Sequence, residues 1–533
     1  MKKRRSIIFI IALVTILTRF VGLDKVPPHL SNDEISIAYD AYSISETLRD
    51  EHNHFMPISF ESHGTHKAPL TIYLTSLSIK LLGNSDFSAR LPSAIFGSLT
   101  VLVLGSLVYL LSSNMSLSLV SGGVLAISPW HIYTSRMALE TNVALFFLAS
   151  AIYLFFLAEN RKKDILFLPS FLAFSLSMYA YHTEWGLTPL IIIVLGLIYR
   201  KNLMRKKAYF IGLLIFVLTV IPLLTNFINN LGTNARANTE FLLTQDSLKD
   251  QLSLQQGNYT RQGQIILSRF VATYSSYIEP DKIFFASPNL LPKTNPFQAG
   301  LILAPFLPAF LFGLFGIKKH FKNHAPFIYL WLFICPVVPA LTVGEQQVVR
   351  NLPFLLPALL VTAVGCCQFY KKFGNNKTAI GSYSFLILVS FFYFSIIYYY
   401  HYPIESGVNF QYGYKQIAEY IKPRYGNFDK IVIDPIFGEG YVYTGVPHLY
   451  IPYYTALDPR YLQERGKNVL CGNCFDKYEI RSIDWENEPV SEKTLYVVPD
   501  SNKPSDVEKN QLNVIYEVYL PNRKPAFAIY EKI

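Results

Sequence analysis

The chain has 533 residues, of which 51% are hydrophobic, 15% aromatic and only 16% charged, and its mean hydropathy is +0.27. That texture excludes an ordinary water-soluble globular protein: apolar stretches of roughly 17–23 residues, long enough to cross a ~30 Å hydrocarbon layer as helices, recur almost to residue 400. The net charge of +10 sits in short basic runs between apolar segments rather than along one amphipathic face, which argues for membrane topology and against nucleic acid.

The first apolar stretch, Ser6 to Leu23, follows Lys2-Lys3-Arg4-Arg5 and lacks a small-residue cleavage site, so it reads as a retained signal-anchor helix. With the N-terminus inside, residues 24–68 form an outer loop. Asp33 and Glu34 lie in this loop, within Leu30-Ser31-Asn32-Asp33-Glu34-Ile35. Ionisable groups near membrane depth are costly and are usually kept for binding or proton transfer. The same Ser-Asn-Asp-Glu run also suits a helix N-terminus, so capping is the competing reading. Pro69 to Leu82 is apolar but only about 14 residues long and carries Lys80, so it is expected along the interface.

Further spans are expected at about 91–111, 117–133, 138–158, 165–181, 186–199, 207–227, 298–317, 325–343, 351–370 and 379–400, about eleven with the first. This threading puts Arg161-Lys162-Lys163, Arg200-Lys201, Arg205-Lys206-Lys207, Lys318-Lys319, Lys322 and Lys371-Lys372 in the cytoplasm, as the positive-inside rule requires. The His182-Thr183-Glu184 turn, the 228–297 loop and the Gly344–Arg350 turn then face outward. The 228–297 loop is too long for a simple connection, which points to function or independent folding.

From His401 the sequence turns polar, with short Val/Ile/Tyr runs broken by Gly, Pro and Asp, and reads as an outer α/β domain over 401–533. The expected division is therefore a membrane domain over 1–400 and this soluble domain. Cys335, Cys366 and Cys367 fall in apolar segments, where packing explains them. Cys471 and Cys474 are expected to form a local disulfide outside the cell, since no second ligand pair follows at zinc spacing.

Four features meet on the outer face: Asp33-Glu34, then His63, His66 and Lys67 ahead of Pro69, then Arg136 with Glu140, and Arg350. Each has a plain explanation. Lys67 and Arg136 suit snorkelling anchors, Glu140 suits a helix N-terminus, and His63 and His66 suit a solvated loop, with a zinc site as the alternative. Together, separated carboxylates and several cations suit a reaction between an anionic lipid head group and a neutral nucleophile. Cations would hold a phosphate and stabilise the charge growing on it, and a carboxylate would take the proton of an acceptor hydroxyl. Glycosyl transfer from a polyprenyl-phosphate sugar is such a reaction.

The Asp33-Glu34 pair, Lys67-Ala68-Pro69-Leu70, Gly83 followed by Phe87-Ser88-Ala89-Arg90-Leu91-Pro92-Ser93-Ala94, and Ser128-Pro129-Trp130-His131 leading to Arg136 and Glu140 resemble the N-terminal half of GT-C-fold transferases. The resemblance is to the branch containing protein O-mannosyltransferases and lipid A aminoarabinose transferases. It covers about residues 1–200, and beyond them rests on span count, Arg350-Asn351-Leu352-Pro353 before a helix, and the outer domain. It implies a polytopic α-helical GT-C fold and an inverting plasma-membrane glycosyltransferase. Asp33 would be the catalytic base, with Glu34 and Glu140 in the acidic set. Lys67 would lie near the lipid phosphate, with His182 at a corresponding place; Arg136 and Arg350, among the outer-face cations, complete the phosphate-binding candidates.

Metal use differs between branches of the family, so a divalent ion is not assigned; His63, His66 and Glu140 are the candidate ligands. The missing Trp-Trp-Asp-type element argues against oligosaccharide transfer to Asn, and the C-terminal domain does not resemble a β-trefoil. A protein, lipid or wall-polymer acceptor stays open. The alternative is a transporter or flippase, whose charges would line a path through the midplane. Here the midspan segments are nearly uncharged, which favours the enzyme.

Overall fold

Helices form where the sequence runs apolar between polar caps. In the computed structural model, residues 2–62, 65–229, 241–285, 299–342, 347–437, 445–464, 474–506 and 511–532 are described. The N-terminal half contains α1 (Lys2–Phe20), α2 (Asn32–Thr47), α3 (Pro69–Leu82), α4 (Asp86–Ser112), α5 (Met115–Ala126), α6 (Pro129–Ser135), α7 (Glu140–Arg161), α8 (Phe167–Ala180), α9 (Glu184–Leu203) and α10 (Lys207–Asn229). Among the described residues, seven helical stretches are long and apolar enough to cross a membrane, or eight if α5 and α6, bent by 61°, form one span.

A helix lies at the place of each expected span, but α1, at the first of them, is not among those seven stretches. The spans expected at 298–317 and 325–343 fall together in the broken stretch Ala304–Ala340, while α3 and Asp164–Ala180 are shorter apolar helices. The break between α5 and α6 falls at Ser128-Pro129, where proline opens the second helix. Between the spans, residues 241–285 carry their own helices, the longest being Tyr259–Ile278.

The chain divides into two compact units. One comprises Met1–Val21, Ile58–Thr71 and Ser93–Ile396; the other comprises Gly22–Pro57, Ile72–Pro92 and Ile397–Ile533. Residues 24–68 are thus divided between the two units, and the C-terminal domain belongs with the Asp33 segment.

In the first unit, hydroxyls in apolar surroundings return their protons to backbone carbonyls, as the absence of water demands: Ser118 Oγ donates to Gly105 at 2.7 Å and Ser170 Oγ to Ala151 at 2.8 Å. Helices Leu307–Phe321 and Leu355–Phe373 approach closely through small residues. A Cβ on Gly365 would collide with the Ala309 carbonyl, and one on Gly313 with that of Val361.

The second unit contains a six-stranded mixed sheet. With a hairpin of β1 (Phe60–Ser62) and β2 (Thr65–Lys67) in the first unit, its strands are β3 (Lys430–Ile433), β4 (Cys474–Phe475), β5 (Tyr478–Ile480), β6 (Thr494–Pro499), β7 (Leu512–Tyr519) and β8 (Pro525–Lys532). Their order is β4-β5-β3-β6-β8-β7. β3 runs parallel to β5 and β6, and the other pairings are antiparallel. Val432, Tyr496, Val498, Leu512 and Tyr530 form a core on which Trp485 packs. Cys474 opens β4, and Cys471 lies outside the described residues.

Replacing Gly365 with Leu is expected to lower the thermal midpoint of the detergent-solubilised protein by the equivalent of about 1–3 kcal/mol, through overpacking. Gly381→Leu, where an added Cβ meets nothing within 4 Å, is the matched control and should leave the midpoint in place.

Candidate active site

In the second unit, α2 begins with Ser31, whose side chain accepts the Glu34 N–H while the Glu34 carboxylate accepts the Ser31 N–H, a reciprocal capping box. Glu34 is fully buried and also pairs with the buried Arg90: Nε lies 2.8 Å from Oε1 and Nη2 lies 3.4 Å from Oε2. Arg90 donates its remaining N–H groups to the carbonyls of Leu23 (3.1 Å), Pro27 (2.9 Å) and His29 (2.6 Å). All five donors are therefore used. Asp33, one residue before Glu34, is only half-buried. The two adjacent carboxylates thus have different settings, one closed into a network and one nearer the surface.

The C-terminal domain holds this segment from the other side. Tyr450 OH donates to the Leu30 carbonyl at 2.6 Å, and Tyr42 OH donates to that of Leu457 at 3.1 Å. The buried Asp86 accepts from Tyr454 OH and pairs with Lys415 at 3.1 Å. His29 is enclosed by the rings of Tyr412, Tyr450 and Tyr454. Its Nδ1 lies 3.1 Å from the carbonyls of both Leu30 and Phe410, which makes Nδ1 the protonated nitrogen. Burial lowers its pKa from 6.5 to about 4, outweighing the opposing pull of Asp86.

In the first unit, β1 and β2 pair Phe60 with Lys67 and Glu61 with His66. Glu140 starts α7, and its Oε1 accepts the Ala68 N–H at 2.8 Å, so a buried carboxylate fixes the backbone next to the buried Lys67. The Glu140 loop is tied in turn by Ser93 Oγ, which donates to Leu139 at 3.1 Å. Arg136, fully buried, donates to the Thr18 carbonyl at 3.1 Å near the end of α1. His66 Nδ1 lies 3.2 Å from Ser59 Oγ.

Arg350 Nη1 donates to Thr342 Oγ1 at 3.0 Å and lies within electrostatic reach of the Tyr277 phenol, as does Tyr181. Burial pushes that phenol up to about 12 against the influence of Arg350. His182, next to Tyr181, packs its ring 5.0 Å from Trp185. In the first unit Lys67 and Glu140 thus adjoin through Ala68, and Arg350 and Tyr181 lie near Tyr277, while Arg136, His66 and His182 make the separate contacts described above. Of the candidate metal ligands, His63 lies outside the described residues, and among the described residues no three His, Cys, Asp or Glu side chains gather as a metal would require.

Several buried polar residues here had no role assigned from the sequence. Arg90 appeared only inside a motif; a lone arginine in an apolar window was the signal that a carboxylate must meet it. Arg19 donates to the Ala126 carbonyl at 3.0 Å and lies 2.8 Å from His131 Nδ1. Glu184 is fully buried and accepts from Thr188 Oγ1 at 2.8 Å.

Removing one partner of a buried ion pair leaves the other uncompensated, so Glu34→Gln is expected to destabilise the protein by roughly 3 kcal/mol. Asp33→Asn, at a half-buried position, should cost less than Glu34→Gln in the same chemical melts. His29 adds a pH dependence. The unfolded residue binds a proton below about 6.5 and the folded one only below about 4, so its contribution is whole above the first value and is lost as pH falls towards the second. A His29→Gln protein should therefore show a shallower loss of stability across that interval in melts taken at successive pH values.

Residues 66–225 match the family described as dolichyl-phosphate-mannose-protein mannosyltransferase, a segment that includes Lys67, Arg136, Glu140 and His182. An uncharacterized protein of Aquifex aeolicus (strain VF5) is 29% identical over 160 residues, which is 29% of this chain and 31% of that one, so the likeness spans under a third of the relative's length. Among solved structures, ArnT from Cupriavidus metallidurans bound to undecaprenyl phosphate superposes with a TM-score of 0.60 at 11% identity, covering 98% of this chain and 97% of that one. The archaeal oligosaccharyltransferase AglB from Archaeoglobus fulgidus, in complex with an inhibitory peptide and a dolichol-phosphate, gives 0.52 at 10% identity over 85% and 63%. At these identities the structural likeness is one of fold. The shared fold and the matched segment make this chain a GT-C-fold multi-pass membrane protein, similar to the glycosyltransferases that use polyprenyl-phosphate sugars.

Proposed function

We propose that the chain transfers a sugar from a polyprenyl-monophosphate donor to a hydroxyl acceptor at the extracytoplasmic face of the plasma membrane, with its N-terminus in the cytoplasm and residues 401–533 outside. The observation that carries this reading is the Lys67–Ala68–Glu140 junction inside the matched segment. A buried ammonium beside a backbone fixed by a carboxylate suits recognition of one phosphate, because the cation is placed before the ligand arrives. Undecaprenyl phosphate and dolichol-phosphate bound to the two fold neighbours support the choice of lipid.

In this mechanism the acceptor oxygen attacks the anomeric carbon on the side opposite the phosphate, so the sugar inverts. The bond from that carbon to the phosphate oxygen breaks, and its electron pair stays on the phosphate. Lys67 stabilises the charge that grows there, with Arg136, His182 and Arg350 in the same phosphate-binding set. Asp33 accepts the acceptor's proton as general base. Glu140 positions Lys67 through the Ala68 N–H. Glu34, engaged by Ser31 and Arg90, acts by holding the backbone at Asp33. Cys471 and Cys474 form a disulfide in the outer domain. No step is assigned to a metal ion.

Purified Asp33→Asn protein is expected to lose transfer from an undecaprenyl-phosphate sugar by about 10²-fold or more while expressing and melting as the parent does. Lys67→Ala should raise KM for the lipid donor more than KM for the acceptor. Undiminished transfer by the Asp33 variant would remove the assigned base.

A further inference from the structure

A groove of about 770 Å³ opens among α1, α4, α5 and α7. Its walls are apolar, with Ile8, Leu102, Leu110, Leu119 and Leu157 among the lining side chains. Its floor is tight, because α4 and α5 meet through Gly105 and Ser118 and through Gly122 against Val101. The wall hydroxyls make local bonds: Thr15 Oγ1 donates to the Ile11 carbonyl and Ser98 Oγ to that of Ala94, each at 2.7 Å. The groove walls therefore offer a hydrocarbon chain an apolar surface.

One end is different. Arg4 and Arg161 both line the groove and both are exposed. Among the described residues neither is in an ion pair, and the nearby acids Glu159 and Asp164 are held by Lys206 at 2.9 and 3.2 Å. These arginines share an end because of how the helices run. Arg136 bonds Thr18 near the C-terminus of α1, four residues before α7 begins. From there α1 runs back to Arg4 and α7 runs out to Arg161, so both guanidiniums lie far from Glu140. At about 1.5 Å per helical residue, Arg161 is about 32 Å along α7 from that carboxylate.

We propose that this groove binds one anionic phospholipid, with an acyl chain along the apolar walls and its phosphate held by Arg4 and Arg161. The volume is that of a ligand site, roughly 300–1,000 Å³. In a bilayer a groove of this kind opens to hydrocarbon, and a void beside its side chains would forfeit their dispersion contacts. The guanidinium fork matches phosphate oxygens, and basic pockets between membrane helices recognise anionic head groups. The distance from Lys67 and Glu140 separates this lipid from the donor, so the inference stands independently of the proposed transfer reaction.

The test uses the full-length protein in detergent, loaded with phosphatidylglycerol or phosphatidylcholine and examined by native mass spectrometry. The parent should retain phosphatidylglycerol preferentially. In the Arg4→Gln/Arg161→Gln double variant, whose changes are at exposed positions, that retention should fall about tenfold while phosphatidylcholine is unaffected. Leu102→Trp, which fills the groove, should release both lipids. Equal retention of the two lipids by the parent would overturn the proposal, as would unchanged phosphatidylglycerol retention in the double variant. Preferential displacement by undecaprenyl phosphate would also overturn it and assign the groove to the donor lipid instead.

Discussion

The segment bearing Asp33 depends on Arg90. Taking a guanidinium and a carboxylate out of water is expensive, and such a pair persists only when every remaining donor and acceptor is matched. Arg90 meets that condition with Glu34 and three backbone carbonyls from residues 23–29. The stretch leading into α2 has no regular hydrogen-bond ladder of its own, so those carbonyls are paid for by a side chain from α4. Glu34 then closes the first turn of α2, leaving Asp33 as the less enclosed of the two acids.

Much of this was legible in the sequence, and the rest was hidden for identifiable reasons. Uninterrupted apolar windows located the helices, because the lack of water in a bilayer enforces a strong length and composition signal. The Ser-Asn-Asp-Glu run supported both capping and chemistry, and the capping is seen: Ser31 and Glu34 make the capping box. The Lys67 element was visible as a motif, but its link to Glu140 through the Ala68 N–H was not, since a backbone donor leaves no mark in residue identity. The Arg90–Glu34 pair was missed because its partners are 56 residues apart and no periodicity connects them.

The division of the chain was equally out of reach. Composition changes near residue 400 and suggests a boundary there, whereas residues 22–57 and 72–92 pack with the C-terminal domain. Tertiary contacts decide this: tyrosines of the helix Pro447–Thr455 reach Leu30 and Asp86. The C-terminal domain therefore packs with early segments of the chain rather than standing alone. Its buried tyrosines and Lys415 build the surroundings of His29 and Asp86, and through them the approach to α2.

That arrangement sets an order of assembly. The ribosome makes the Asp33 helix about 400 residues before Tyr450, so at roughly 5–20 residues per second the helix waits about 20–80 s for its partner. During that interval Tyr42, whose hydroxyl donates to the Leu457 carbonyl and whose ring meets that of Tyr453, lacks those partners. A nascent chain of this kind passes through a stage in which that helix is made and its tyrosine partner is not.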